Sequence, residues 1–476
     1  MLFKTSLSLC VALTSCLAYA APELTSTLKD QQEVAVTIYN DNLALVKDTR
    51  KVALFNGEGR LAWRDVSARM QPDTALLRNL SHGKGFYLIE QNFDFDLLTP
   101  RTLLDKYVGQ KVTVIRSNPA SGAETQESAT VLATNDGVVL QYADRIETGV
   151  PGRLAFNSVP DTLRDRPTLV MSLNSPQQAE DVLELSYLTG GLVWQASYVA
   201  ELGKNDDVLD LNAWVTLTNS SGAAFNNARL QLVAGDVNQV RGDMVSAARE
   251  ERMPKALAMA APKMAEESLF EYHLYTLDRP TSIADKQTKQ VALLSANNVA
   301  AHKEYVLRGA DYYYRASYGD LGQKMKVGVF ITFANKGGSL GVPLPRGIVR
   351  VYKKDRAGNA QFVGEDRIDH TPENEKIRLK LGDAFDVTAD KKQSSFDKVG
   401  GSGKYNYIFE AAYEVLLKNA KSEAVTVKVV EPIPGDWQML SESAAHQQEA
   451  ANTAVWQVAV PAKGETKLSY KVRVRY

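Results

Sequence analysis

Val327-Gly-Val-Phe-Ile-Thr-Phe333 puts Val327, Val329, Ile331 and Phe333 on one face of an extended chain, because side chains alternate across a strand with period two. The same alternation recurs along the sequence. Val34-Ala-Val-Thr-Ile38 precedes the turn-rich Tyr39-Asn-Asp-Asn42, and Lys111-Val-Thr-Val-Ile115 follows Gly109. Leu468-Ser-Tyr-Lys-Val-Arg-Val-Arg-Tyr476 alternates to the last residue. Turn signals separate such runs at Asn56-Gly57, Asn135-Asp-Gly137, Asn219-Ser-Ser-Gly222, Lys336-Gly-Gly338 and Ala357-Gly-Asn359. Short strands rich in Val, Ile, Tyr and Thr between Gly and Asn turns predict a mainly β protein with several β-sandwich domains.

Three stretches interrupt the pattern and set the expected domain organisation. Residues 99–149 read as a self-contained group of about five short strands, the size of a small β-barrel. We expect this barrel to be inserted into an N-terminal β-domain formed by residues 21–98 and 150–245. Residues 246–267 are rich in Ala, Met and charge and are broken by Pro254 and Pro262. With little to anchor a core, they read as a flexible segment or frayed helix. A second β-domain is expected over 268–390. Residues 391–404 are polar, contain Gly400-Gly-Ser-Gly403, and read as a linker before an immunoglobulin-like β-sandwich at 405–476.

Residues 1–20 carry Lys4, an apolar stretch over 7–13 and the small-residue site Ala18-Tyr19-Ala20, the pattern of a secretory signal peptide. Cys10 and Cys16, the two cysteines of the chain, lie inside it. Cleavage after Ala20 would leave about 450 thiol-free residues, enough for several domains without disulfides, iron–sulfur clusters or thiolate zinc sites. The expected location is the periplasm. Leu13-Thr14-Ser15-Cys16 also has the form of a lipobox, so the alternative is a lipoprotein anchored to a membrane leaflet through Cys16. The chain is 44% hydrophobic and 23% charged, with a formal net charge of −1. Nothing in that balance draws it to nucleic acid. Beyond the signal there is no apolar run long enough to span a bilayer as a helix.

Candidate chemistry is sparse. His82, His273, His302, His370 and His446 form no HExxH or HxH arrangement, so no zinc-hydrolase signature is present. Glu365-Asp366-Arg-Ile-Asp369-His370-Thr-Pro-Glu373 is the strongest metal candidate. Asp366 and His370 would share a face of a strand, and Asp366, Asp369 and His370 could ligate a divalent cation. The competing reading is a solvated strand and turn. No GxSxG elbow is present, and Gly401-Ser-Gly-Lys404 departs from a phosphate loop at both ends. No cofactor is expected. Trp194 and Tyr198, four apart in a strand, point the same way. They fit either a sandwich core or a platform for sugar rings. Tyr312-Tyr-Tyr-Arg-Ala-Ser-Tyr318 reads as a strand with Tyr312, Tyr314 and Tyr318 on one face. Arg315 on the other face is then available to an anionic group. The aromatic C-terminal strand fits the close of a sandwich better than that of an outer-membrane barrel, whose repeated lipid-facing segments are missing.

Several longer phrases are those of a known family: Val36-Thr-Ile-Tyr-Asn-Asp-Asn-Leu-Ala-Leu-Val46, Gly191-Leu-Val-Trp-Gln-Ala-Ser-Tyr198 and Leu217-Thr-Asn-Ser-Ser-Gly222. Further ones are Ala228-Arg-Leu-Gln-Leu-Val-Ala-Gly-Asp236, Glu271-Tyr-His-Leu-Tyr275, Pro343-Leu-Pro-Arg-Gly-Ile-Val-Arg-Val-Tyr352 and Gly364-Glu-Asp-Arg-Ile-Asp-His-Thr-Pro372. On these the chain resembles the bacterial DUF4139 family, relatives of which carry the label "mucoidy inhibitor", over nearly all of its mature length. The resemblance implies an exported, β-rich cell-envelope protein. It implies no reaction and supplies no catalytic residues.

With no catalytic constellation in a well-patterned β chain, we expect a non-enzymatic binding or scaffolding module whose partner is an envelope protein or polysaccharide. The alternative is an enzyme acting on envelope glycans through two carboxylates that the linear sequence does not place together.

Overall fold

The computed structural model describes residues 23–81, 85–160, 162–235, 237–238, 264–337, 340–403 and 405–476. The expected signal peptide, with Cys16, lies outside them. The protein is mainly β, as expected: the described residues form thirty strands, one short α-helix and two 3₁₀ helices. The strands make sheets of four, five, eight and thirteen strands.

The four-stranded sheet runs in the order Glu23–Ser26, Gly57–Arg64, Thr168–Ser175, Tyr87–Asp94. Its last two strands are antiparallel neighbours, Asp94 facing Thr168. Between them the chain leaves to build the five-stranded sheet. That excursion starts with the helix Pro100–Lys106, whose Thr99 and Thr102 form a reciprocal cap and whose Pro100 opens the first turn. It then pairs Lys111–Ser117 with both Glu124–Ala133 and Arg153–Ala155. Its own core gathers Tyr107, Val112, Val114, Ala129, Val131, Leu140 and Tyr142. The excursion builds a sheet with a core of its own, but not the expected barrel. Ile146–Thr148 and Arg153–Ala155 stand at opposite edges of an open sheet. Three-residue edge strands are too short to close it. No sheet among the described residues closes on itself.

One core joins the expected first and second β-domains. It runs from Val36, Trp63 and Leu183 through Trp194 and Leu217 to Ile331, Val349 and Leu379. A second core packs Leu307, Tyr314, Val327 and Val387 with Tyr413, Val427, Trp456 and Tyr470. The C-terminal unit therefore recruits residues well before 405.

The expected linker is the clearest correction. Residues 391–402 belong to the strand Lys376–Ser402, paired on one side with Asp320–Ala334 and on the other with Tyr405–Asn419. Its polar residues mislead because two of them are buried with partners. Lys391 meets Glu431, and Gln393 donates to the carbonyls of Tyr313 and Ala316. The Gly-rich piece is the hairpin end, not a connector. In the expected flexible segment, Met264–Leu269 is a strand paired with Tyr272–Leu277; residues 246–263 lie outside the described residues. The tyrosine run is a 3₁₀ helix over Asp311–Tyr314. Tyr313 and Tyr314 are buried there, while Tyr312 and Tyr318 are exposed. No helix among the described residues is long and apolar enough to cross a membrane.

Candidate ligand-binding groove

Lys376-Ile-Arg-Leu-Lys380 alternates basic and apolar residues. As part of a strand it buries Ile377 and Leu379 in the core and turns Lys376, Arg378 and Lys380 to the opposite face. The run Val327–Phe333 does the same within the neighbouring strand Asp320–Ala334. Ile331 and Phe333 face the core, and Gly328 and Phe330 face outward beside the basic row. Pairing registers extend the face. One row crosses the sheet as Lys428, Val306, Gly328 and Asp383. The next runs Glu304, Phe330 and Lys380.

These rows form an open groove of about 420 Å³. Six cations line it: Arg308, Lys326, Lys376, Arg378, Lys380 and Lys428. Three carboxylates share it, from Glu304, Asp383 and Glu449, leaving an excess of three positive charges in a chain whose overall charge is −1. Each carboxylate has a cation. Glu304 holds Arg378 at 3.1 Å and Lys376 at 3.8 Å. Asp383 lies 3.8 Å from Lys326 and 3.7 Å from Lys380, and Glu449 accepts from Lys428 at 2.8 Å. The lysine contacts near 3.8 Å are loose, and Lys326 remains 78% exposed. Such surface pairs contribute little, about 0–1 kcal/mol, so a ligand anion can compete for these lysines at small cost. Arg308 is exposed and has no ion pair among the described residues.

The floor depends on a glycine. A Cβ at position 328 would stand 2.9 Å from the Phe330 ring. Glycine lets that ring lie along its own strand, where Arg378 stacks 3.7 Å from its centroid. Arg378 is thus held by the ring below and by Glu304 beside it.

The residues singled out from sequence lie elsewhere. Trp194 and Tyr198 do share one face of the strand Leu192–Leu202, but they are 6% and 0% exposed. A buried ring offers no platform, and the Tyr198 hydroxyl donates to the Pro345 carbonyl at 2.7 Å. Burial also raises the Tyr198 pKa well above its ordinary value. Arg315 is exposed, as expected, but it closes a helical turn rather than projecting from a strand, and it pairs with Asp311 at 2.7 Å. Asp366 accepts from the backbone N–H groups of Arg367 at 2.8 Å and Lys380 at 2.7 Å, tying two strands together. The strand Ala360–Ile368 ends before Asp369 and His370, so the shared face is lost. Asp369 is exposed, and its carbonyl accepts from Thr371. His370 Nδ1 accepts from the Arg346 N–H at 3.3 Å. Among the described residues no three His, Cys, Asp or Glu groups converge as a metal site.

Sequence reasoning passes over the groove although a signal for it is present. Basic residues two apart in a strand pattern mark a cationic face as surely as apolar ones mark a core. What the sequence hides is that the neighbouring strands carry further cations in register.

Residues 183–476 match the family model described as Domain of unknown function (DUF4139). No curated protein matches the chain. The match begins later than the resemblance read from sequence, leaving Val36–Val46 outside it, and it contains the entire groove, whose lining residues run from Glu304 to Glu449. The chain belongs to the DUF4139 family.

Proposed function

We propose that the protein is an exported, non-enzymatic binding or scaffolding module of the cell envelope, and that the groove is the surface by which it holds an envelope polymer or protein. The observation that carries this reading is the groove itself: a concave, cation-rich face built on rigid paired strands. Its three carboxylates are each engaged by lysine or arginine. That arrangement suits the display of positive charge better than general acid catalysis, which calls for a carboxyl group kept protonated by apolar surroundings. The signal-peptide pattern at the N-terminus supports export.

The test is a cross-linked pull-down of the tagged mature protein from its own cells, with proteins and glycans both identified. A partner or polymer enriched over an exported control supports the reading. No enrichment contradicts it and turns attention to glycan hydrolysis.

A further inference from the structure

We propose that the groove takes a carboxylate-bearing polysaccharide; this assignment rests on the binding reading above and narrows its ligand class. Three features favour it. The first is charge. Arg308 has no ion pair among the described residues, and Lys326, Lys376 and Lys380 keep only loose ones, so several cations stand ready for anions spaced along a chain. The second is the floor, where the partly exposed Phe330, beside Val306 and Val430 at 7% and 9% exposure, leaves a small apolar surface between the charges. A pyranose ring presents C–H groups to such a surface while its substituents reach outward. The third is that the cations project from the face of paired strands, whose backbone N–H and C=O groups lie in the plane of the sheet. Val425–Pro432 pairs with strands on both sides. The outer half of Gln287–Arg308 is flanked by Val425–Pro432 and Asp320–Ala334, and Lys376–Ser402 covers the far side of Asp320–Ala334. A ligand lying across this face cannot join the sheet as an added strand, which is how a sheet edge captures a peptide. Recognition must come from side chains, which suits repeated carboxylates.

The experiment is titration calorimetry on the full mature chain with a galacturonate oligosaccharide. A neutral cello-oligosaccharide of equal length and a polyglutamate peptide serve as comparisons. The double variant Arg308→Ala/Lys380→Ala is measured alongside, as is Arg153→Ala, a charge change on the inserted sheet. Galacturonate should bind, more weakly as salt rises, and the double variant should weaken it by at least about tenfold with an unchanged melting temperature. Arg153→Ala should bind as the parent does. Failure of galacturonate to bind, equal binding of the neutral oligosaccharide, equal or tighter binding of polyglutamate, or an unaffected double variant would each overturn the assignment. The pull-down keeps the two proposals apart. If the double variant loses an enriched partner that is not a carboxylated glycan, the groove remains a binding surface and only its ligand class is wrong.

Discussion

Lys391 Nζ lies 2.6 Å from Glu431 Oε1, and the two side chains are 1% and 0% exposed. The Tyr314 hydroxyl donates to Glu431 Oε2 at 2.8 Å, and the Tyr314 and Tyr470 hydroxyls are 2.9 Å apart. The Tyr313 ring lies 4.5 Å from the ammonium. Burial lowers the Lys391 pKa, and the Glu431 carboxylate opposes that shift. The pair links the strands Lys376–Ser402 and Val425–Pro432 at the heart of the second core. Both strands also form the groove floor.

Removing one partner should therefore cost much more than removing both. Lys391→Met strands a buried carboxylate and should destabilise the protein by about 3–5 kcal/mol. Lys391→Met/Glu431→Leu should recover most of that loss, because an apolar pair carries no desolvation penalty. Urea unfolding of the singles and the double checks this. A double variant no more stable than the single would contradict it.

Asp206 joins two other strands. Its carboxylate accepts from Lys303 at 2.8 Å and also from Lys353. Desolvation works to raise its pKa, but the hydrogen bonds and charges of the two lysines outweigh it and the net direction is down. A carboxyl with a depressed folded-state pKa adds stability above its unfolded pKa of about 4, and that stability is lost as pH falls through the folded value. Asp206→Asn tolerates the residue's positive φ of 61° and isolates the charge. It should cost about 1–3 kcal/mol at neutral pH and converge with the parent in strong acid. Melting curves across pH would show this; a pH-independent gap would refute it.

Gly328 should resist even a methyl group. Gly328→Ala should cost about 1–3 kcal/mol by pushing the Phe330 ring off its seat. In the Phe330→Leu background the same change should cost less. A double-mutant cycle measures that coupling. Full additivity would show that the ring does not depend on the glycine.

The inserted sheet should be dispensable for folding of the rest. Its core is separate, and the strands it interrupts are already hairpin neighbours. Replacing residues 100–157 with a short Gly/Ser connection should leave a cooperative thermal transition and β-type circular dichroism. Loss of that transition would mean the insertion holds the N-terminal core together.

Period-two patterning makes the strands legible, and it places Trp194 and Tyr198 on one face of one strand. The short strands of the five-stranded sheet are legible as well, because its turns and short runs are local. Burial of polar residues is not. Lys391 and Gln393 have linker-like composition, and only contacts distant in sequence show that they sit in a core. Asp366 and His370 look like ligands only when the strand is extended past Ile368, where the chain turns. The groove lies between these extremes. Lys376, Arg378 and Lys380 announce a cationic face, but Lys428 and Arg308 reach it through pairings that no local pattern reveals.

The most direct test of binding through the groove replaces Lys326, within it, with a photo-cross-linking amino acid. The comparison is the same replacement at Lys51, an exposed lysine on the strand Leu43–Leu54 of the eight-stranded sheet, whereas the groove lies on the thirteen-stranded one. After irradiation of the protein expressed in its own cells, a binding groove predicts a cross-linked partner at position 326 and none at position 51. Adducts at both positions alike, or at neither, would contradict a binding function for the groove.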